Sequence, residues 1–342
     1  GLSGVYLSEL RVRQVTLREE GGLMHDRLGR EITYVRVSVT DRCNLRCQYC
    51  MPAAGVPFVP HARILRFEEI TAAVAALARL GVRQVKLTGG EPLCRRDLPQ
   101  LVRMLYAVPG IEEVTLTTNG TLLPGQAQAL AEAGVTRVNI SLDTLRPDRY
   151  AAITRCGVLD DALAGLAAAQ RAGMQVKLNV VPVRGVNDDE IVDLVRFGRA
   201  RGCPVRFIEL MPVGLGASRQ GLSNAEVLDI IEHAMPGFSP FRGGKLGNGP
   251  AVCYGWPEGG VFGLIGAVHD RFCASCNRVR LTADGVLRLC LAQPDGLDLM
   301  PYLRQGRPGL DAALRQAIYD KPAGHTFLQH GTADRTMNGI GG

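Results

Sequence analysis

The sequence lacks any apolar stretch of the roughly 18 to 20 uncharged residues that a membrane span needs. Its first residues, GLSGVYLSELRVR, also lack a charged segment followed by an apolar one, so we expect neither membrane insertion nor secretion. Charge is sparse as well, with 21% charged residues and a net charge of +6. That excess is too small for a dedicated nucleic-acid-binding protein, but it suits a cavity that receives a polyanion such as a nucleotide.

The chain does have the length and the apolar content for more than one core. It contains 342 residues, 46% of them hydrophobic, which predicts one large α/β domain and an appended one. After residue 212 the pattern becomes Gly-rich and irregular, and alternation around Asp284-Gly285 predicts a hairpin. We therefore expect an N-terminal extension over 1–27, a first domain over 28–212, a smaller α+β domain over 213–331 and a flexible tail over 332–342 that ends in Gly341-Gly342.

Short β-branched runs recur along the first domain, each followed by a stretch with helical spacing. One such stretch, DEIVDLVRFGRARG, ends in a glycine that can stop a helix. This alternation requires parallel strands joined by right-handed crossovers, in either a doubly wound sheet or a barrel. The six predicted strands are Tyr34 to Thr40, Arg83 to Thr88, Glu113 to Thr118, Thr136 to Leu142, Gln175 to Val181 and Val205 to Leu210.

The position of the unusual residues favours the barrel. A cysteine triplet follows the first strand, GGEP follows the second, TNG the third and SLD the fourth. The loops at the carboxyl ends of barrel strands converge on one active site, so one mouth would collect all of these motifs. We therefore predict an incomplete (β/α)6 TIM-like barrel whose mouth is closed by the smaller C-terminal domain.

Three of the ten cysteines form a compact set in CNLRCQYC, separated by three and then two residues. A short loop can bring the three thiolates to one side of a 4Fe-4S cluster and leave one iron open to a small molecule. A zinc knuckle or an oxidised pair is the alternative, although zinc would want a fourth ligand close by. The residues of this first cysteine set are Cys43, Cys47 and Cys50.

A second cysteine set lies near the C-terminus, where Cys273 and Cys276 are followed by Cys290 on the far strand of the predicted hairpin. Folding the hairpin would bring the three thiolates together, which predicts a second cluster with an open iron. A zinc ribbon that lacks one cysteine is the alternative here. The other four cysteines are expected to be ordinary small buried residues: Cys94, Cys156, Cys203 and Cys253.

The spacing of the first cysteine set, with the aromatic Tyr49 before its last cysteine, resembles the radical S-adenosylmethionine (SAM) superfamily. In that superfamily the open iron chelates the methionine part of SAM, and an electron cleaves the sulfonium to give a 5′-deoxyadenosyl radical. The resemblance implies that Gly90, Ser141 and Met211 contact this cosubstrate and that Tyr49 lies beside the cluster.

Longer stretches resemble one branch of this superfamily, the GTP 3′,8-cyclases that begin molybdenum-cofactor biosynthesis. The resemblance runs from about residue 28 to the end, through VTDRCNLRCQYCMP, LTGGEPLCRRDLP, TTNGTLL, RFIELMPVG, FCASCNRVRLTADGVLRLCL and the terminal glycine pair. It implies a lyase in which the adenosyl radical removes a hydrogen from ribose C3′ of GTP. The ribose carbon then attacks guanine C8, and the second cluster anchors the guanine.

The basic residues suit such a substrate, because arginine and lysine bind phosphate. Four of these basic residues lie inside strands that should be buried, where a charge is costly unless it is paired or faces the lumen. They are Arg36, Lys86, Lys177 and Arg206. Arg278 and Arg280 are two apart on a strand and so face the same side. The resemblance implies catalytic roles for this pair and for the first cysteine set. It also implies GTP contacts from Arg36, Lys86, Thr117, Lys177, Arg206, Arg278, Val279 and Arg280.

The expected cofactors are thus two 4Fe-4S clusters and SAM, in a reducing cytoplasm. The expected partners are GTP, a flavodoxin- or ferredoxin-like electron donor and the next pathway enzyme, with no membrane or nucleic acid; a homodimer is compatible with the resemblance. Two other functions predict different sequence features. A radical enzyme acting on a peptide would have more than three auxiliary cysteines and no arginine pair, and an electron carrier or metal-binding module would need no six-unit barrel.

Overall fold

The computed structural model describes residues 24–243, 246–247, 249–270, 272–293, 295–325, 327 and 336–337. Most of the predicted N-terminal extension and of the predicted tail, including the terminal glycine pair, lies outside these ranges. Residues 24–27, which we assigned to the extension, pack on the barrel. Met24 N donates to Leu80 O at 3.0 Å, and Arg27 N donates to Tyr319 O at 3.0 Å.

The six predicted strands are present and lie parallel in one sheet, in sequence order. Each starts at the predicted residue or one residue later, and each ends at the predicted residue or up to two residues earlier. These strands are β1 (Tyr34–Ser38), β2 (Gln84–Thr88), β3 (Glu113–Thr118), β4 (Arg137–Ser141), β5 (Gln175–Val180) and β6 (Val205–Ile208).

Helices connect the strands, and most of them bury one face. In the first helix Ile70, Val74 and Leu77 are fully buried at helical spacing. Gly202, with φ of +64°, ends the sixth helix as its position predicts. The helices are α1 (Phe67–Arg79), α2 (Leu98–Tyr106), α3 (Ala127–Ala133), α4 (Pro147–Thr154), α5 (Leu159–Arg171), α6 (Ile191–Arg201), α7 (Asn224–Ala234), α8 (Met300–Arg304) and α9 (Leu310–Tyr319).

The C-terminal strands extend this sheet at both edges. The strand order is β12-β11-β10-β1-β2-β3-β4-β5-β6-β9-β8-β7, in which β10 is parallel to β1 and β9 is parallel to β6. The predicted hairpin is confirmed, with Gly285 at φ of +87° in its turn. These strands are β7 (Ser239–Pro240), β8 (Val252–Gly255), β9 (Val261–Ile265), β10 (Arg278–Leu281), β11 (Val286–Arg288) and β12 (Leu297–Asp298).

This architecture confirms the predicted partial barrel with a C-terminal segment. The division at residue 212 stays a prediction, because strands from both sides of it are hydrogen-bonded neighbours and share one hydrophobic core. Leu116 from the barrel and Val279 and Leu287 from the C-terminal segment all belong to that core. Among the helices of the described ranges, none has the length and apolar character needed to cross a bilayer.

Candidate active site

One cavity of about 320 Å³ lies inside the curved sheet and extends to the loops that follow the strands. It brings together residues that are far apart in the sequence. The predicted residues on its wall are Arg36, Cys43, Cys47, Tyr49, Cys50, Lys86, Gly90, Thr117, Ser141, Lys177, Arg206, Met211, Arg278 and Arg280. The cavity therefore joins the predicted SAM contacts to nearly all of the predicted GTP contacts.

Val279 differs from the other predicted GTP contacts. Its side chain is fully buried in the hydrophobic core, whereas Arg278 and Arg280 on either side line the cavity. Side chains alternate between the two faces of a strand, so this arrangement follows from the register of β10. Val279 can offer only its backbone to a ligand in the cavity.

The first cysteine set occupies the loop after β1. A turn in which Cys50 N donates to Cys47 O at 2.9 Å brings the cysteines to one wall of the cavity. Burial raises the pKa of Cys43 to about 12, and a hydrogen bond from Leu45 N opposes this shift only in part. Burial likewise raises the pKa of Cys47 well above its ordinary value, and the charges of Cys50 and Asp143 add to that rise. Three free thiols on one wall, which need a cation to become thiolates, fit a 4Fe-4S cluster held by Cys43, Cys47 and Cys50.

The glycines of GGEP let the loop after β2 lie directly against the cysteine loop. Gly90 N donates to Thr40 O at 2.8 Å, and Glu91 N donates to Arg42 O at 2.7 Å. A Cβ on Gly90 would lie 2.4 Å from Arg42 O, which is closer than real contacts allow. The backbone of this loop can therefore form the edge of the cavity beside the cysteines.

We predict that Gly90→Ala lowers the free energy of unfolding by about 1 to 3 kcal/mol, because the new methyl group must push two backbone segments apart. Gly125→Ala is the matched control, since a Cβ there meets nothing within 4 Å. Denaturant unfolding of the iron-free proteins measures both changes. Equal stabilities for the two variants would contradict the close approach.

Glu91 ties the loops after β2 and β3 together. Its carboxylate accepts hydrogen bonds from Thr118 Oγ1 and Asn119 N, each at 2.7 Å, and from Leu93 N at 3.0 Å. Burial raises the pKa of Glu91 to about 7 in spite of these bonds. The sequence singled out the GGEP motif but gave no role to its glutamate, because the bonding partners come from other segments.

Asp143 does the same for the loops after β4 and β5. Tyr49 Oη donates to Asp143 Oδ2 at 2.5 Å, and Val181 N donates to Asp143 Oδ1 at 2.8 Å. Burial raises the pKa of Asp143 to about 6, and both hydrogen bonds oppose that rise. The carboxylate thus fixes the ring of Tyr49 beside the first cysteine set.

A cluster of cations lines the strand side of the cavity. Arg36 is paired with Lys86 on β2 and with Arg280 on β10 in the strand register. Burial, followed by the repulsion of Arg206 and nearby cations, lowers the pKa of Lys177 to about 8 and that of Lys86 well below its ordinary value. This cation cluster (Arg36, Lys86, Lys177, Arg206 and Arg280) would be stabilised by a polyanion in the cavity.

The sequence did not point to three further residues of this wall, which are Arg137, Glu113 and Asn179. Arg206 donates two hydrogen bonds to Asn179 Oδ1, at 3.0 and 2.6 Å. Arg137 forms an ion pair with Glu113 and also lines the cavity. An arginine inside the apolar strand TRVNISL is as unusual as Arg36 in its own strand, so the same reasoning could have found it. Asn179, which accepts the bonds from Arg206, and Glu113, which pairs with Arg137, carried no such signal.

The second cysteine set does not line the cavity, although its sequence neighbours Phe272 and Arg278 do. The ammonium of Lys321 bridges the two cysteine segments, because it donates to Arg278 O and Leu289 O and is acted on by the charges of Cys276 and Cys290. Burial would raise the pKa of Cys276, but the charges of Lys321, Arg278 and Arg30 lower it below its ordinary value. Three free thiols with cations around them again fit an iron–sulfur cluster.

The prediction that the other four cysteines are buried is wrong for two of them. Cys203 is buried and Cys253 is half-buried, but Cys94 and Cys156 are exposed. Both exposed thiols contact Asn44 in the first cysteine loop, Cys156 through Asn44 O at 3.4 Å. Cys94 and Cys156 lie near the loops that surround the cavity mouth, where a side chain need not be buried in the core.

Comparison with known proteins agrees with this geometry. A family model described as the Radical SAM superfamily matches residues 37–198, and one described as Molybdenum Cofactor Synthesis C matches residues 203–327. The fold and the first cysteine set thus define the radical SAM class.

Relatives named GTP 3′,8-cyclase share much of the sequence. The protein from Pelotomaculum thermopropionicum is 48% identical over 93% of this chain and 100% of its own length. The protein from Moorella thermoacetica is 46% identical with the same coverage. The chain belongs to the GTP 3′,8-cyclase family of the radical SAM superfamily.

Solved structures share the fold. Streptococcus suis SuiB bound to S-adenosylmethionine superposes with a TM-score of 0.60 at 15% identity, over 84% of this chain and 67% of SuiB. SuiB bound to its precursor peptide SuiA gives a TM-score of 0.61 at 15% identity, over 84% of this chain and 66% of SuiB. At this identity the likeness concerns the fold alone.

Proposed function

We propose that the chain converts GTP into (8S)-3′,8-cyclo-7,8-dihydro-GTP, the first step of molybdenum cofactor biosynthesis. The observation that carries the proposal is one cavity lined both by a three-thiol loop and by the cation cluster. The first suits a cluster that serves SAM, and the second suits a triphosphate. Membership in the GTP 3′,8-cyclase family supports the same substrate.

In this proposal Cys43, Cys47 and Cys50 hold the first 4Fe-4S cluster. When bound, the cluster supplies the electron that cleaves SAM to methionine and a 5′-deoxyadenosyl radical. Gly90, Ser141 and Met211 lie on the same cavity wall and would contact SAM. Asp143 holds Tyr49 in place through its hydrogen bond, so the ring is fixed before SAM arrives.

The cation cluster would bind and orient GTP. Arginine forks and lysine ammonium groups hold the phosphates, and Asn179 fixes the fork of Arg206. The hydrogen on ribose C3′ has to pass to the adenosyl carbon, and C3′ has to meet guanine C8. The hydrogen transfer and the bond formation between C3′ and C8 both require fixed contact distances and the exclusion of water, which a buried cavity supplies.

Anaerobic incubation of the iron-loaded protein with SAM, dithionite and GTP tests this function. We expect 5′-deoxyadenosine to form in proportion to the GTP consumed, and ATP to support no such consumption. Absence of deoxyadenosine with GTP present would contradict the proposal. Deoxyadenosine without any loss of GTP would favour an enzyme that acts on a peptide.

We further propose that Cys273, Cys276 and Cys290 hold a second 4Fe-4S cluster that anchors the guanine. Alanine at any one of these positions is predicted to lower the iron content from about eight to about four atoms per chain, because the first cluster persists. Iron and acid-labile sulfide analysis measures the change, and Cys203→Ala serves as the control. An unchanged iron count in the three variants would refute the second cluster.

We also propose a flavodoxin- or ferredoxin-like electron donor, which fits the exposed arginines Arg42 and Arg155 at the first cysteine loop. An acidic donor would approach this face by charge attraction. Deoxyadenosine formation driven by flavodoxin should therefore decline with added salt, whereas that driven by dithionite should not. Equal salt dependence would contradict an electrostatic docking face.

The remaining parts of the proposal concern the setting. Ten free cysteines and oxygen-sensitive clusters suit a reducing cytoplasm, where the next pathway enzyme would take up the product. A homodimer is the proposed assembly, and sedimentation of the anaerobic protein tests it.

Within the active site, Arg278 and Arg280 would face the guanine and the phosphates of GTP between the two clusters.

A further inference from the structure

Lys321 is a buried lysine beside the second cysteine set. Only 2% of its surface is exposed, and its ammonium donates to Arg278 O at 2.9 Å and to Leu289 O. These carbonyls lie two residues after Cys276 and one residue before Cys290. The charges of Cys276 and Cys290 both act on this ammonium. It is therefore fixed between the two segments that carry these cysteines.

Arg30 holds the same region from behind. Its guanidinium is paired with the buried Asp26 at 2.5 Å, and it donates to Cys273 O at 2.8 Å and to Pro322 O at 2.7 Å. The arginine thus ties the cysteine loop to the turn that follows Lys321. None of Asp26, Arg30 and Lys321 lines the cavity, so the proposed chemistry of SAM and GTP gives them no task.

The two cysteine sets differ in the charged groups that act on their thiols. Burial raises the pKa values of Cys43 and Cys47, and the carboxyl groups of Glu91 and Asp143 add to that rise, while the guanidinium of Arg46 donates to Cys43 O at 2.6 Å. The second set has Lys321, Arg30 and Arg278 as neighbours. Reduction adds a negative charge to an iron–sulfur cluster, and nearby positive charge and hydrogen bonds to its sulfurs stabilise that charge.

We propose that Lys321, held in place by Arg30, is a positioning residue that raises the reduction potential of the cluster at Cys273, Cys276 and Cys290 above that of the first cluster. This inference rests on the second cluster of the proposed function. The residues would thereby let the second cluster accept a single electron from the donor more easily than the first cluster does.

Redox titration followed by electron paramagnetic resonance tests the proposal on reconstituted protein. One background has alanine at the three first-set cysteines and keeps only the second cluster; the other has alanine at the three second-set cysteines. In the first background Lys321→Gln should lower the equilibrium constant for one-electron reduction about tenfold or more, which is 59 mV. Lys321→Arg keeps the charge and should give a much smaller shift. In the second background Lys321→Gln should change nothing.

Equal shifts in the two backgrounds, no shift in either, or an arginine variant that shifts as far as the glutamine variant would each overturn the proposal. Iron content gives a second readout. If Lys321→Gln loses the second cluster while Lys321→Arg keeps it at an unchanged potential, the charge requirement is supported; loss in both variants means a merely structural role and overturns it. A parent protein of the first background that binds no iron would refute the second cluster itself, before any variant is compared.

Discussion

Cys47→Ala is expected to reduce 5′-deoxyadenosine formation below detection and to remove about half of the iron. Cys47 lies between the other two cysteines of its set, and its carbonyl accepts the bond from Cys50 N that closes the loop. With two thiolates the first cluster would lose one of its three proposed protein ligands. Chromatography of the SAM products and iron analysis of the anaerobically reconstituted protein measure the two effects.

Cys203→Ala is the control for this variant, because Cys203 is a buried cysteine far from both sets in the sequence and 2% exposed. It should retain the iron and the cleavage of SAM. The proposed second cluster would give an internal reference, since its spectroscopic signal should persist in Cys47→Ala. Full iron content together with normal deoxyadenosine formation in Cys47→Ala would show that these thiols are not the ligands.

The sequence predicted the features that depend on neighbouring residues. The strands were found within two residues because each combines β-branched side chains with a flanking turn, and the cysteine loop was found because its spacing is local. The two arginines of β10 face the cavity because strand alternation is also local. Residues such as Arg36 were found because a charge inside an apolar strand is costly and needs a reason.

Features that depend on distant partners could not be predicted in this way. Glu91 has its role only because Thr118 and Asn119 lie beside it in the folded chain. The pairing of β10 with β1 joins segments about 240 residues apart, which no local pattern indicates. Likewise Lys321 shows no local signal, and its significance comes from the carbonyls of residues far upstream.

The cation cluster implies a trade between stability and substrate binding. Burial, and after it the repulsion of neighbouring cations, lowers the pKa of Lys177 to about 8 and that of Arg206 to about 10. Repulsion of this kind destabilises the empty protein. A bound triphosphate reverses the balance, because the same charges then face an anion.

Lys177→Met is therefore expected to weaken GTP binding and to stabilise the empty protein. Loss of one buried charge partner costs about 2 kcal/mol or more, which raises the dissociation constant for GTP roughly 30-fold. The methionine keeps the apolar stem without the ammonium, so the unfolding temperature of the ligand-free protein should rise. Equilibrium dialysis with GTP and thermal unfolding measure the two changes, and Lys177→Arg is the control that keeps the charge.

The pH dependence of stability is a second test of whether the charge of Lys177 destabilises the empty protein. The folded pKa of Lys177 is about 8 and its unfolded pKa is about 10.4, so the unfolded chain holds this proton more tightly. The penalty on folding is fully present below about pH 8 and fades as the pH rises toward the unfolded value, so the advantage of Lys177→Met should shrink from pH 7 to pH 10. Over the same range the charged fraction falls, and GTP affinity should decline from pH 7 to pH 9 in the parent protein but much less in Lys177→Arg. Identical pH profiles of the parent and the arginine variant would contradict the role of the Lys177 charge in GTP binding. A methionine variant that is less stable than the parent at pH 7 would show that this charge does not destabilise the empty protein.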